Sequence, residues 1–163
     1  MQILVKLGNG KLAFIRPVAT PLKDESETEY LTRIGNVTIA KCTRDGQSGW
    51  DGAVIAAFVS EDVVNNAEWT YRDGWDWTTP EMAMDYDMVK CRAIHRERMR
   101  KVRAGKFTTL DAALLRELEN GDPQRKAEIA VIKQALRDVP SDPAIDAAKS
   151  IEELKAVWPD VLK

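Results

Sequence analysis

The sequence holds one histidine, His95, and two cysteines, Cys42 and Cys91. Cys91 and His95 stand four residues apart, a spacing that puts a thiolate and an imidazole on one helix face, half of a metal site. Cys42 offers a third ligand, but no fourth is evident, and Arg92, Arg96 and Arg98 beside the pair repel a dication. A single histidine excludes a multi-histidine zinc centre. A Ser-His-Asp relay would have to use His95 inside a cationic run that disfavours imidazolium. Residues 46–49, Gly-Gln-Ser-Gly, are not a nucleophile elbow, and the loop 45–52 lacks the alternating acids and terminal glutamate of a calcium loop. No phosphate-cradling or dinucleotide-binding glycine pattern occurs. These features argue against an enzyme, a metal centre or a bound cofactor. The expected use of Cys91 and His95 is a small buried thiol beside an interfacial imidazole.

Charge is the most unevenly placed property. Residues 61–87 carry eight acids and one base, Arg72; residues 90–106 carry eight bases and one acid, Glu97. A basic helix of this kind can grip nucleic acid or an acidic partner. The structural alternative, mutual compensation plus a solvated helix face, is favoured because the opposite charges lie so close in sequence. The net charge of −2 supplies no global attraction for nucleic acid.

Indoles and carboxylates interleave from Glu68 to Trp77, through Trp69, Tyr71, Arg72, Asp73, Trp75 and Asp76. Such a stretch can stack sugar rings, but core packing or a protein interface is the more general use of large amphipathic rings.

The elements that must position these groups differ between the two halves. Nine of the eleven aromatic residues precede residue 87, whereas the later chain is rich in good helix formers. The chain is long enough for a core without staples, its two cysteines make no disulfide scaffold, and a reducing, intracellular origin is expected. It has no apolar run of membrane-spanning length and no signal-peptide pattern at its start.

The expected fold class is α+β: a small N-terminal sheet domain containing a β-hairpin over residues 1–80, then a helical hairpin and short terminal helix over 81–163. Residues 2–7 and 11–16 form the hairpin around Gly8-Asn9-Gly10, closed by Pro17. Residues 24–34 predict a short helix stopped at Gly35-Asn36, residues 37–42 a β-branched strand, and 53–59 a buried strand. Residues 85–103 and 107–118 predict two helical stretches with a weak point at Gly105; Phe107, Leu110, Leu114 and Leu118 mark the apolar side of the second. Asn120-Gly121 ends that helix and Asp122-Pro123 opens the next, with Ile129, Ile132 and Leu136 as its stripe. Val139-Pro140 stops it, and Ser150 with Glu153 reads as a capping box for residues 151–157. That last helix is expected to dock in cis.

Residues 71–75 (Tyr-Arg-Asp-Gly-Trp), 87–96 (Asp-Met-Val-Lys-Cys-Arg-Ala-Ile-His-Arg), 133–145 and 152–159 together resemble a pattern of small phage and prophage proteins of the tail-fibre and tail assembly chaperone type. The likeness covers residues 70–163, with a weaker one over 1–20. Cys91 stands where that group carries alanine, and Gly105 where it carries a proline-like break. The resemblance implies a non-enzymatic protein that binds a phage tail or tail-fibre protein, located in the virion tail or in the host cytoplasm during assembly, with self-association open. It implies no catalytic residue, cofactor or membrane partner. The candidate contact residues are Arg96, Arg100 and Arg103 on the basic helix, Trp75 and Trp77 in the aromatic stretch, and Leu154 and Trp158 in the terminal segment. Two other roles follow from charge: an inhibitor of a host defence protein, through the acidic run, and a small nucleic-acid binder, through Arg96, Arg100 and Arg103.

Overall fold

The computed structural model describes residues 1–76 and 85–163. The fold is α+β, in two compact units, Met1–Asp87 and Met88–Lys163. The expected boundary at residues 80–81 and the candidate Trp77 lie outside the described residues. Among the described residues no helix is long and apolar enough to cross a membrane.

Unit 1 is built on a three-stranded antiparallel sheet, order β2-β1-β3, from β1 (Gln2–Lys6), β2 (Leu12–Ile15) and β3 (Val54–Val59). The period-two alternation of β1 sends Ile3 and Val5 to one face and Leu4 to the other, and all three are fully buried. Ile3 and Val5 pack with Ile15 and Leu31, while Leu4 packs with Leu12, Val59, Val64 and Trp75. Both faces are therefore covered, which explains the nearly continuous apolar sequence of β3. An irregularity in the β1–β3 register falls between Leu4 and Val5, where the partner shifts from Ala57 to Ile55. That extra residue lets Ile55 join the Val5 face although Ala57 faces with Leu4.

One helix, α1 (Glu27–Arg44), covers the first face. It replaces both the short helix ending at Gly35-Asn36 and the strand expected at 37–42. Gly35 is a contact residue rather than a stop: a Cβ there would lie 2.6 Å from Ile55 Cδ1 and 3.1 Å from its Cγ1. The missing side chain brings the helix backbone onto the sheet. Packing of Ile34 and Ile39 on that core overrides the β preference of Val37-Thr38-Ile39. The start is a reciprocal capping box. Ser26 Oγ accepts from Glu29 N–H at 3.3 Å, and the Glu29 carboxylate accepts from Ser26 N–H at 2.9 Å. The chain before it is pinned as well. Arg33 donates to both oxygens of Glu25 at 2.7 and 2.8 Å, and Leu22 N–H adds a third bond at 2.8 Å. The guanidinium first, and then the amide, hold the Glu25 carboxyl down at about 2.

The other face is covered by α2 (Glu61–Asn66), a 3₁₀ turn (Trp69–Gly74) and a two-stranded ribbon of β4 (Trp75–Asp76) and β5 (Asp85–Tyr86).

Unit 2 is α3 (Met88–Asn120) and α4 (Pro123–Asp138) packed as a hairpin, followed by α5 (Pro143–Ala147) and α6 (Ile151–Ala156). The break expected at Gly105 does not exist. The helix runs through it, with nothing within 4 Å of where a Cβ would stand. Asp122 caps α4 by accepting from Arg125 N–H at 3.0 Å, with Pro123 in the first turn. Ser150 caps α6 by accepting from Glu153 N–H at 3.2 Å. The Glu153 carboxylate accepts from Lys149 N–H at 2.7 Å, one residue earlier than a reciprocal box requires. Ile129 and Leu136 are buried as the stripe predicts, but Ile132 and Leu118 are exposed. A two-helix layer covers only one narrow side of each helix.

Candidate interaction surfaces

The aromatic surface of unit 1 begins with hairpin register. Leu4 pairs with Phe14, so Phe14 shares a face with Leu12 and points toward the 3₁₀ turn. That turn is tied down at both ends. Glu68 N–H donates to Tyr86 Oη at 2.9 Å, and Asp87 N–H donates to the Gly74 carbonyl at 2.8 Å. Trp75 Nε1–H donates to the Glu68 carbonyl at 3.3 Å. Three rings then meet, Trp75 edge to face with each of the others and Phe14 tilted against Trp69. Trp69 and Trp75 have centroids 4.9 Å apart, Phe14 and Trp75 5.5 Å, and Phe14 and Trp69 5.8 Å. Trp75 is 3 % exposed and Trp69 51 %. A cleft of about 270 Å³ lies along them, rimmed by Lys11, Arg72 and Asp73. Lys11 Nζ stands 2.9 Å and Arg72 Nε 3.9 Å from the same Asp73 Oδ1, so two rim cations share one carboxylate.

The basic run of unit 2 has a different use. Helix ends leave carbonyls without intrahelical donors and concentrate negative partial charge. Side chains of α3 meet these carbonyls. Arg103 Nη1 donates to the Leu136 and Arg137 carbonyls in the last turn of α4, at 3.3 and 3.0 Å. Arg96 Nε donates to the Pro140 carbonyl at 3.1 Å, and its Nη2 to Asp146 Oδ1 at 2.6 Å. Arg92 Nη2 donates to the Ala148 carbonyl, just after α5, at 2.8 Å. His95 Nε2 lies 2.9 Å from the Val157 carbonyl, just after α6. A carbonyl only accepts, so the proton is on Nε2. Trp158 sits edge-on to the His95 ring at 5.5 Å, with the Arg98 guanidinium 5.5 Å from its centroid. Burial pushes the His95 pKa down, the Val157 bond opposes this, and the Arg98 and Arg96 charges add to the depression.

Five candidates from the sequence are therefore placed within their own unit. Trp75 and Leu154 are buried in packed cores. Arg96 and Arg103 are bonded to carbonyls of the segments they hold. Trp158 is half-buried against His95 and Arg98, docked in cis. Arg100 remains open, 51 % exposed, with Glu97 3.5 Å away. Cys42 and Cys91 are buried free thiols in different units. Among the described residues no cluster of three or more His, Cys, Asp or Glu side chains could hold a metal.

Two contributors to the aromatic cleft fall outside the sequence-based candidates. Phe14 lies 55 residues before Trp69, and only hairpin register brings them together. Trp69 itself lies in the indole-rich stretch that drew attention to Trp75 and Trp77. No local signal distinguishes the buried indole from the exposed one.

No family model matches the chain, and comparison with curated proteins and with solved structures returns no match.

Proposed function

We propose that this chain is a non-enzymatic phage tail-associated protein that acts by binding another protein, as a tail or tail-fibre component or as a tail assembly chaperone. One observation carries the binding: Trp69 is half exposed over a cleft while its ring partners Phe14 and Trp75 are held in the sheet core. A large ring left in water at a shaped, charge-rimmed cleft is what protein interfaces draw on. The phage tail assignment rests on the resemblance of residues 71–75, 87–96, 133–145 and 152–159. The nucleic-acid reading has less support, because Arg96 and Arg103 already serve carbonyls of unit 2 and only Arg100 of that trio is open.

The test is quantitative mass spectrometry of purified particles and of infected-cell lysate, for the phage that encodes the chain. A stoichiometric signal in particles supports a tail component. A signal in lysate alone, in complex with a tail or tail-fibre subunit, supports a chaperone. Absence from particles with no tail subunit bound overturns the proposal, and a complex with a host nuclease would favour an inhibitor instead.

A further inference from the structure

The cleft has a second property that narrows what it takes. It runs along β2, where Leu12, Ala13 and Phe14 with the preceding Lys11 form one of its walls. Among the described residues β2 is an edge strand, paired only with β1. Leu7 N–H donates to the Lys11 carbonyl at 2.8 Å, which fixes the alternation of the antiparallel ladder. With register Val5–Ala13 and Ile3–Ile15, the N–H and C=O groups of Ala13 and Ile15 turn toward β1. Those of Leu12 and Phe14 turn outward, and among the described residues they meet no partner. Two consecutive outward residues offer two donors and two acceptors at strand spacing, beside the Trp69 ring. An unprotected edge of this kind is a template for an added strand.

Resting on the protein-binding reading above, we propose that the partner contributes an extended segment that pairs with β2 as a fourth strand. It places one aromatic or long aliphatic side chain against Trp69 and Phe14, with acidic residues at the Lys11–Arg72 rim. Backbone pairing supplies register, and alternate side chains supply selectivity. The charge of the rim selects the sign: Lys11 and Arg72 share the single carboxylate of Asp73, and the net positive charge of the three favours carboxylates. The edge is short, four residues between the Gly8-Asn9-Gly10 turn and Pro17, so it suits a short segment rather than a broad sheet.

The experiment uses the full chain, ¹⁵N-labelled, with a set of blocked six-residue peptides. Each alternates valine and threonine around a central phenylalanine, tryptophan, leucine or isoleucine and ends in two aspartates. Hydrogen exchange is read amide by amide. In the free protein the Leu12 and Phe14 amides exchange freely and those of Ala13 and Ile15 are protected. Saturating peptide is expected to protect Leu12 and Phe14 and leave the other two unchanged. Trp69→Ala weakens binding about thirtyfold, the effect of losing one aromatic anchor, while the amide spectrum confirms the fold. Replacing the terminal aspartates by lysines also weakens it. Failure of every peptide to bind, or binding without protection of Leu12 and Phe14, overturns the strand-addition mode. Protection that rises with protein concentration alone overturns it in favour of edge pairing between two copies. If the peptides fail while a tail subunit still binds in a Trp69-dependent manner, the functional reading stands and only this mode falls.

Discussion

His95 Nε2–H donates to the carbonyl of Val157, 62 positions further along the sequence, at 2.9 Å, with the imidazole 1 % exposed. This bond ties the end of α6 to α3 and orients Trp158 for its contact with Arg98. The side chain that most invites a catalytic reading is thus held as a neutral donor in a core.

A pH dependence follows from it. The unfolded chain takes up a proton on His95 near the ordinary value of 6.5, whereas the folded chain resists until lower pH. The unfolded state therefore binds more protons in that interval, and stability falls as pH drops below 6.5. Because the histidine is unique, its ring proton resonance gives the midpoint directly. A midpoint below 6.5 is expected, with a melting temperature that declines on acidification and a weaker decline in His95→Gln. A midpoint at or above 6.5 would contradict the buried neutral donor.

Arg103 is predicted to be a stability residue of unit 2. Removing it strips donors from two carbonyls at the end of α4, and hydrogen bonds to a charged donor contribute about 1.5–3 kcal/mol each. The side chain is half-buried, so the sum is discounted, and Arg103→Ala should lower the unfolding free energy by about 1–2 kcal/mol. Arg103→Lys should restore only part of it, because an ammonium is a more strongly hydrated point charge on a flexible stem and loses more freedom on being held against the two carbonyls. Denaturant titration of the three proteins provides the check; equal stabilities would show the contacts to be incidental.

Two glycines in helices should respond in opposite directions. Gly105 faces open space within α3, so Gly105→Ala should stabilise by about 0.5–1 kcal/mol through helix propensity alone. Gly35 lies against Ile55 and Ile3, so Gly35→Ala should destabilise by about 1–3 kcal/mol through overpacking. Thermal melts of both variants decide the matter, and a stabilised Gly35→Ala would mean that α1 does not approach the sheet as described.

These glycines also show what local sequence can and cannot reveal. Elements set by nearby residues are legible: the hairpin around Asn9, the strand β3 (though only Val59 of it is buried), the Asp122-Pro123 start and the Ser150 cap. The Ser26–Glu29 box is equally local and marks the true start of α1. Gly35 followed by a β-branched run reads as a helix stop and a strand, because the sheet contact that reverses both is tertiary. The basic run of α3 reads as a free cationic surface for the same reason: the carbonyls it serves lie 33 to 62 residues away. At the cleft, the indole-rich stretch marks the neighbourhood, but strand register decides which ring is exposed.

The two indoles of the cleft should separate folding from binding. Trp75 is buried among Leu4, Leu12 and Val59, and Trp75→Ala should destabilise unit 1 by about 3–5 kcal/mol. Trp69→Ala should change stability by much less, since half of that ring already faces water. Urea unfolding followed by far-ultraviolet circular dichroism measures both; a Trp69→Ala loss as large as that of Trp75→Ala would make Trp69 a core residue rather than a contact.

The most direct test of the account is affinity purification of the chain and its Trp69→Ala variant from host cells that express them during infection by a tailed phage whose genome carries the gene, as the proposal requires. The bound proteins are quantified against the bait. The account predicts a tail or tail-fibre subunit at near-stoichiometric amount with the natural chain and at least tenfold less with the variant, in keeping with loss of an interface anchor worth about 2 kcal/mol. Equal recovery with both proteins, or no tail subunit with either, would contradict it.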